Sequence, residues 1–421
     1  MSVHTCPLAM LGGKETGGMN VYLRDLGREL ARQGHQVDVF TRSQDPCVVR
    51  VSHDLGPGAR VIHVPAGPEA PVSKETMVAH TADFVAWVLD FARAHNRHYD
   101  VIHSHYWISG LAAEALQAAW LAESPGSVPT PIVQMFHTLG HMKNQVAQAA
   151  HEFATDQRLE AESLLLRVAD RIVAGSPLDK AQTVRLYAAD PGKITVIPPG
   201  VDLERFHPIG QIEAKTAIGV PAAKRMVLFV GRIEPLKGID TLLRAMQRVA
   251  DECGGCEGLT VAIVGGDPAV PVEQMSDEMA RLHRLRTELG IEDMVTFLGK
   301  RDQDLLPYYY NAAEVVVMPS HYESFGMVAL EAMACGTPVI ASRVGGLRFS
   351  VIHGYTGWHV PVADPVALAN AISKLFKDDA LRWRLSANSV KTAQRFGWPT
   401  ITAQIVALFR EVIAERAADR F

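Results

Sequence analysis

Met226-Val227-Leu228-Phe229-Val230 runs without interruption into Gly231-Arg232-Ile233-Glu234-Pro235-Leu236-Lys237-Gly238. The apolar run reads as a strand buried on both faces, and the glycine-bounded loop after it opens a helix. Strand, loop and helix in that order form the repeating unit of a parallel sheet with helices on both faces. Working outward, Val261-Ala262-Ile263-Val264, Val295-Thr296-Phe297-Leu298, Val315-Val316-Val317-Met318 and Val339-Ile340-Ala341 continue the pattern with helices between them. The second half is therefore expected to be a doubly wound α/β domain of five strands.

The same alternation precedes it. Val37-Asp38-Val39-Phe40, Val61-Ile62-His63-Val64, Val101-Ile102-His103, Pro131-Ile132-Val133-Gln134, Arg171-Ile172-Val173-Ala174 and Ile194-Thr195-Val196-Ile197 are short strands separated by helical stretches. Before them, Gly12-Gly13 and Gly17-Gly18 make a loop, then Tyr22, Leu26 and Leu30 share a helical face that Gly34 ends. Only Met1-Ser2-Val3 precedes His4, shorter than a buried strand usually is, so the first strand is expected to begin upstream or to have lost residues. Pro198-Pro199-Gly200 is a rigid break. The expected domains are 1–200, 201–398 and a C-terminal helix at 399–421 that packs back on the first. Two such domains place the carboxyl ends of their strands, where open parallel sheets bind ligands, on opposite walls of a central cleft.

Composition narrows the function. At 421 residues, 48% hydrophobic and 21% charged, the chain suits two globular domains. A net charge of −5 supplies no attraction for nucleic acid or anionic lipid. No apolar run is long enough to span a bilayer and no signal peptide opens the chain, so a cytoplasmic enzyme with small-molecule partners is expected, a homodimer being compatible. Five cysteines suit a reducing compartment, and Cys253-Gly-Gly-Cys256 lacks the second ligand pair of a structural zinc site, so no metal is expected.

The loops carry the chemistry. Arg232 offers a planar fork and Lys237 a point charge, set where a departing diphosphate would need them. Glu323-Ser324-Phe325-Gly326-Met327-Val328-Ala329-Leu330-Glu331-Ala332-Met333-Ala334-Cys335-Gly336-Thr337-Pro338 passes from a strand end into an apolar helix closed by Gly336. A carboxylate at Glu331 is costly there unless hydroxyl groups satisfy it, and a ribose supplies them. Glu323, at the helix entrance, suits the hydroxyls of a donor sugar.

With Gly17-Gly18-Met19-Asn20, Gly231-Arg232 with Lys237-Gly238, the Glu323 to Glu331 pair and Thr337-Pro338-Val339-Ile340 spread over nearly the whole chain, the sequence resembles the retaining glycosyltransferases of family 4. That family includes bacterial glycogen synthase relatives, sucrose-phosphate synthase and the inositol-phosphate N-acetylglucosaminyltransferase of mycothiol synthesis. The resemblance implies the GT-B fold, two Rossmann-like domains. It also implies donor binding by Gly18, Arg232, Lys237, Glu323, Phe325, Gly326 and Glu331, and catalysis by Arg232, Lys237, Glu323 and His137, the histidine of Phe136-His137-Thr138-Leu139-Gly140.

Through His4-Thr5, Gly18-Met19-Asn20, Ser73-Lys74-Glu75, His103-Ser104-His105-Tyr106-Trp107-Ile108-Ser109-Gly110 and His137-Thr138-Leu139, the first half is especially similar to the inositol-phosphate branch. The resemblance places an acceptor against His4, Asn20, Lys74, Tyr106, Thr138 and Arg158, with the acceptor phosphate on the last four; Leu139-Gly140-His141 leans toward the sucrose-phosphate branch. The implied reaction moves a hexosyl group from UDP-glucose or UDP-N-acetylglucosamine to an inositol phosphate-like or fructose 6-phosphate-like acceptor. It needs no metal or other cofactor beyond the nucleotide sugar as co-substrate. A nucleotide-sugar epimerase would leave Lys74 and Arg158 idle, a sugar-nucleotide sensor would not need the full donor set, and a lipid acceptor would call for a docking surface such as Phe84-Val85-Ala86-Trp87-Val88-Leu89, which core packing also explains.

Overall fold

β-Branched and aromatic residues in short runs pair into three sheets, two in one unit of the chain and one in the other. In the computed structural model, which describes residues 1–9, 16–147, 153–268, 270 and 275–418, one unit comprises Met1–Ala9, Gly18–Pro198 and Pro399–Phe421, and the other centres on Pro199–Trp398. The Gly12-Gly13 part of the glycine loop and the Cys253 side chain lie outside the described residues; Cys256 is a free thiol.

The first unit holds β1 (Val37–Arg42), β2 (Val51–Ser52), β3 (Ala59–Val64), β4 (Ile102–His105), β5 (Ile132–Met135), β6 (Arg171–Ala174) and β7 (Ile194–Val196). β1 pairs parallel with β3, which carries β2 antiparallel on its other edge, while β4 to β7 form a parallel ladder in chain order. The opening residues form no regular strand, yet they join these ladders. Ser2 N donates to Phe40 O (2.9 Å), Arg42 N to Val3 O (3.1 Å) and His105 N to Met1 O (3.1 Å). Val101 stays outside β4.

Helix Gly18–Arg32 turns Tyr22, Leu26 and Leu30 inward and ends before Gly34, whose φ of 89° fits the left-handed turn of a helix stop. In helix Thr81–Ala94 the residues Phe84, Val85 and Val88 are core. Helix Trp398–Ala418 is tied to the first unit: Arg171 pairs with Glu411 and Glu415, Arg416 with Asp170, and the Phe409 ring lies 5.3 Å from His103. No helix among the described residues is long and apolar enough to cross a membrane.

The second unit is one parallel sheet of six strands, β8 (Arg225–Val230), β9 (Leu259–Val264), β10 (Val295–Gly299), β11 (Val315–Met318), β12 (Val339–Ser342) and β13 (Gly357–Val360). Their order is β10-β9-β8-β11-β12-β13. Alternate residues of β8 enter opposite cores, Val227 and Phe229 on one face, Met226 and Leu228 on the other, which is why the strand reads as a continuous apolar run. The sixth strand, absent from the five expected, is an edge: Gly357, half-buried Trp358 and His359 leave no apolar run to find. Strand order reverses between β8 and β11, and in such sheets ligands bind beyond the carboxyl ends at that switch point. The loops leaving it are those of Arg232 and Glu323.

Candidate active site

On the second unit, glycines let three loops touch. A Cβ on Gly238 (φ 64°) would lie 2.2 Å from Pro319 O, so the loop after β8 closes directly on the loop after β11, and His321 N donates to Leu236 O at 2.8 Å. A Cβ on Gly345 (φ 44°) would lie 1.7 Å from Glu323 O, and Gly346 N donates to that oxygen at 3.0 Å. Gly345-Gly346 thus clamps Glu323, a role the sequence reading missed because it depends on a main-chain approach from the loop after β12.

Within this frame Lys237 Nζ meets Glu323 Oε2 at 2.5 Å, both side chains about a fifth exposed, and Arg232 Nη1 meets Glu234 Oε1 at 2.8 Å. Gly326 (φ 85°) opens helix Met327–Ala334, and a Cβ there would strike Leu347 at 2.5 Å. The Phe325 ring is buried in the core beside Phe396. Glu331 is buried, and its Oε2 accepts a hydrogen bond from the Tyr310 hydroxyl at 2.6 Å. Burial first, then the Glu331 carboxylate, keeps that phenol protonated. Tyr310 was absent from the sequence reading; its hydroxyl satisfies one oxygen of the Glu331 carboxylate.

On the first unit the site forms where β4 and β5 end in register, His105 opposite Met135. Just beyond them Tyr106 (φ 73°, ψ 160°) and His137 (φ 61°) adopt positive φ. Each costs roughly 1–3 kcal/mol, strain that persists only when neighbours impose it. Tyr106 N donates to Met135 O at 2.8 Å, and buried Gln134 donates to Tyr106 O at 3.2 Å.

The Tyr106 ring so placed collects the acceptor candidates. His4 lies 4.4 Å away, Lys74 Nζ 5.5 Å and Arg158 Cζ 5.0 Å from its centroid. Arg158 is held by its Nε on Glu162 Oε1 (2.7 Å) and its Nη2 on Thr138 O (2.6 Å). Glu162, fully buried, also accepts Gly140 N (2.8 Å) and the Tyr187 hydroxyl. Glu162 and Tyr187 were likewise absent from the sequence reading. Asn20 donates to Thr5 Oγ1 (2.6 Å) and Cys6 O (2.7 Å), fixing the segment that bears His4, and exposed Gly18 is the first residue of its helix.

His137 Nε2 and His105 Nδ1 share a hydrogen bond of 3.0 Å, with Tyr22 edge-on to His137. Burial lowers the His137 pKa to about 3; burial, then the charges of Lys74, His137 and Arg158, lowers that of His4 to about 3. His103 and His105 lie well below the usual value for the same first cause. These imidazoles are neutral in the fold but take protons below about pH 6.5 when unfolded. Stability is therefore complete above pH 6.5 and is lost as pH falls, by about 1.4 kcal/mol per pH unit each for His4 and His137 until their folded values near 3, with His103 and His105 acting in the same direction. The urea midpoint should drop sharply between pH 7 and pH 5.5, and an unchanged midpoint would contradict their burial as neutral groups. Among the described residues no three His, Cys, Asp or Glu side chains are grouped to hold a metal ion.

Residues 211–392 match the family described as Glycosyl transferases group 1, and residues 16–205 that described as Glycosyltransferase Family 4. The chain is 40% identical to D-inositol 3-phosphate glycosyltransferase 2 of Catenulispora acidiphila, over 100% of this chain and 96% of the relative. It is 41% identical to the D-inositol 3-phosphate glycosyltransferase of Geodermatophilus obscurus, over 99% and 90%. Among solved structures, sucrose-phosphate synthase from Thermosynechococcus elongatus matches with a TM-score of 0.86 at 36% identity, covering 98% of each chain.

Proposed function

The chain belongs to the group 1, family 4 glycosyltransferases, and on that premise we propose that it transfers a hexosyl group, with retention, from a UDP-sugar to a hydroxyl of a phosphorylated polyol, D-inositol 3-phosphate being the first choice. The observation that carries the acceptor class is the convergence of Lys74 and Arg158 on one strained residue, Tyr106. Two cations there suit a phosphate through charge-assisted hydrogen bonds. Fructose 6-phosphate is the second reading, favoured by the likeness to sucrose-phosphate synthase. A screen pairing UDP-N-acetylglucosamine and UDP-glucose with both phosphates, following UDP release, tests the proposal; release with neither acceptor refutes it.

On the donor side, Lys237 and Arg232 rest on carboxylates that a diphosphate replaces. Once Lys237 turns to the diphosphate, Glu323 is freed to accept hydrogen bonds from the donor sugar, and Glu331 takes the ribose alongside Tyr310. The acceptor hydroxyl attacks on the face that the diphosphate leaves: the bond from the anomeric carbon to the acceptor oxygen forms, the bond to the diphosphate oxygen breaks, and that oxygen takes the proton. No side-chain nucleophile is used. Neutral His137 offers the transferred sugar a hydrogen bond without adding charge. We place this activity in the cytoplasm.

Because Arg232, Lys237 and main-chain amides supply the positive field at the leaving group, EDTA should leave most of the activity intact. Loss of activity in chelator, restored by a divalent ion, would show that the leaving-group chemistry belongs to a metal.

A further inference from the structure

Arg42, the last residue of β1, is 1% exposed, yet no carboxylate is hydrogen-bonded to it among the described residues. Its guanidinium is wrapped by main-chain carbonyls: Nη1 donates to Ser43 O (2.8 Å) and Pro68 O (2.7 Å), Nη2 to Ala70 O (2.6 Å), and Nε has no partner. Glu69, the acid whose charge acts on Arg42, is bound through both oxygens by Arg50 at 2.5 and 2.7 Å. A buried charge without a paired carboxylate is poor value for stability alone, and an apolar side chain of similar volume would avoid its desolvation. What arginine adds is a planar, rigid fork whose separate nitrogens fix the direction of each carbonyl, where a lysine offers a single point charge on a flexible stem.

Those carbonyls belong to the segment that delivers Lys74. Gly67 (φ 66°) lies so close to the His80 ring that a Cβ would come within 2.5 Å of it, which seats the segment on the end of helix Lys74–Ala79. Ser73 caps the start of that helix by accepting from Thr76 N, and Lys74, its first residue, reaches over the Tyr106 ring. We infer that Arg42 is a positioning residue for acceptor recognition: by gripping the Pro68–Ala70 main chain it sets Lys74 over Tyr106.

The inference rests on the reading of Lys74 as a ligand of the acceptor phosphate, and the test separates the two. Arg42→Lys, Arg42→Met, Lys74→Ala and the double variant Arg42→Lys/Lys74→Ala are compared in the full chain, with D-inositol 3-phosphate as the acceptor. Arg42→Lys should raise the acceptor KM about tenfold, with kcat and donor KM within about twofold, the loss of one well-placed charged contact. Hydrogen exchange should quicken in residues 66–74, and the double variant should be no worse in acceptor KM than Lys74→Ala. A fall in kcat at unchanged acceptor KM would mark Arg42 as structural only and overturn the inference, as would an unchanged KM in Arg42→Lys beside a raised one in Lys74→Ala. An unchanged acceptor KM in Lys74→Ala would instead remove the phosphate reading, and the inference with it. Should Arg42→Met not fold, Arg42→Lys decides the matter.

Discussion

Alanine at Arg232 or at Lys237 is expected to lower turnover by about a hundredfold or more, the scale seen when one preorganised donor is taken from a developing negative charge. In front-face transfer no enzyme nucleophile shares the barrier, so stabilisation of the leaving diphosphate carries most of the catalysis. The two substitutions differ in what they leave behind. Arg232 is 40% exposed and pairs with Glu234 in solvent, so its loss should hardly change stability. Lys237 sits deeper and pairs with Glu323, which Gly345-Gly346 fixes in place, so Lys237→Ala leaves a clamped carboxylate facing the diphosphate. Lys237→Ala should therefore also weaken donor binding, and it should be the more damaging of the two. Steady-state kinetics with donor varied at saturating acceptor would read both effects. Wild-type turnover in both variants would sink the donor assignment.

The loops proposed to hold the donor were legible in the sequence as loops for a physical reason. A parallel strand covered on both faces must be apolar throughout, so β8 and β11 announce themselves, and the loops that leave their carboxyl ends follow in the chain. What stayed hidden is held by partners far away in sequence. Tyr310 reaches Glu331 across twenty-one positions, and nothing in Tyr308-Tyr309-Tyr310 tells which hydroxyl meets it. Gly345-Gly346 resembles any turn until the main chain of Glu323 is placed against it. Arg42 lies past Phe40, where the apolar signal stops, and the carbonyls of Pro68 and Ala70 that bury it stand 26 and 28 positions on. Edge strand β13 escaped for the opposite reason: partial exposure denies it an apolar run.

The acceptor side offers the sharpest test of specificity. If Lys74 and Arg158 grip a phosphate beside Tyr106, D-inositol 3-phosphate should be used several tens-fold better than inositol at least, since charge-assisted hydrogen bonds contribute roughly 1.5–3 kcal/mol each. Lys74→Ala is the cleaner probe of this. Arg158 also neutralises Glu162, a fully buried carboxylate that holds Gly140 N and the Tyr187 hydroxyl, so Arg158→Ala strands a charge and disturbs the turn bearing Thr138. Lys74 stands half-buried at the start of a short helix, not on a fully buried carboxylate. Its removal should cut kcat/KM for the phosphorylated acceptor by at least tenfold and leave the slow reaction of the unphosphorylated one nearly unchanged, with donor KM constant. The preference for phosphate would then collapse in Lys74→Ala through loss of the better substrate alone. Equal use of both acceptors by the wild-type enzyme would remove the phosphate from this pocket, leaving sugar transfer from the donor side untouched and Tyr106 with its two cations in need of another anionic ligand.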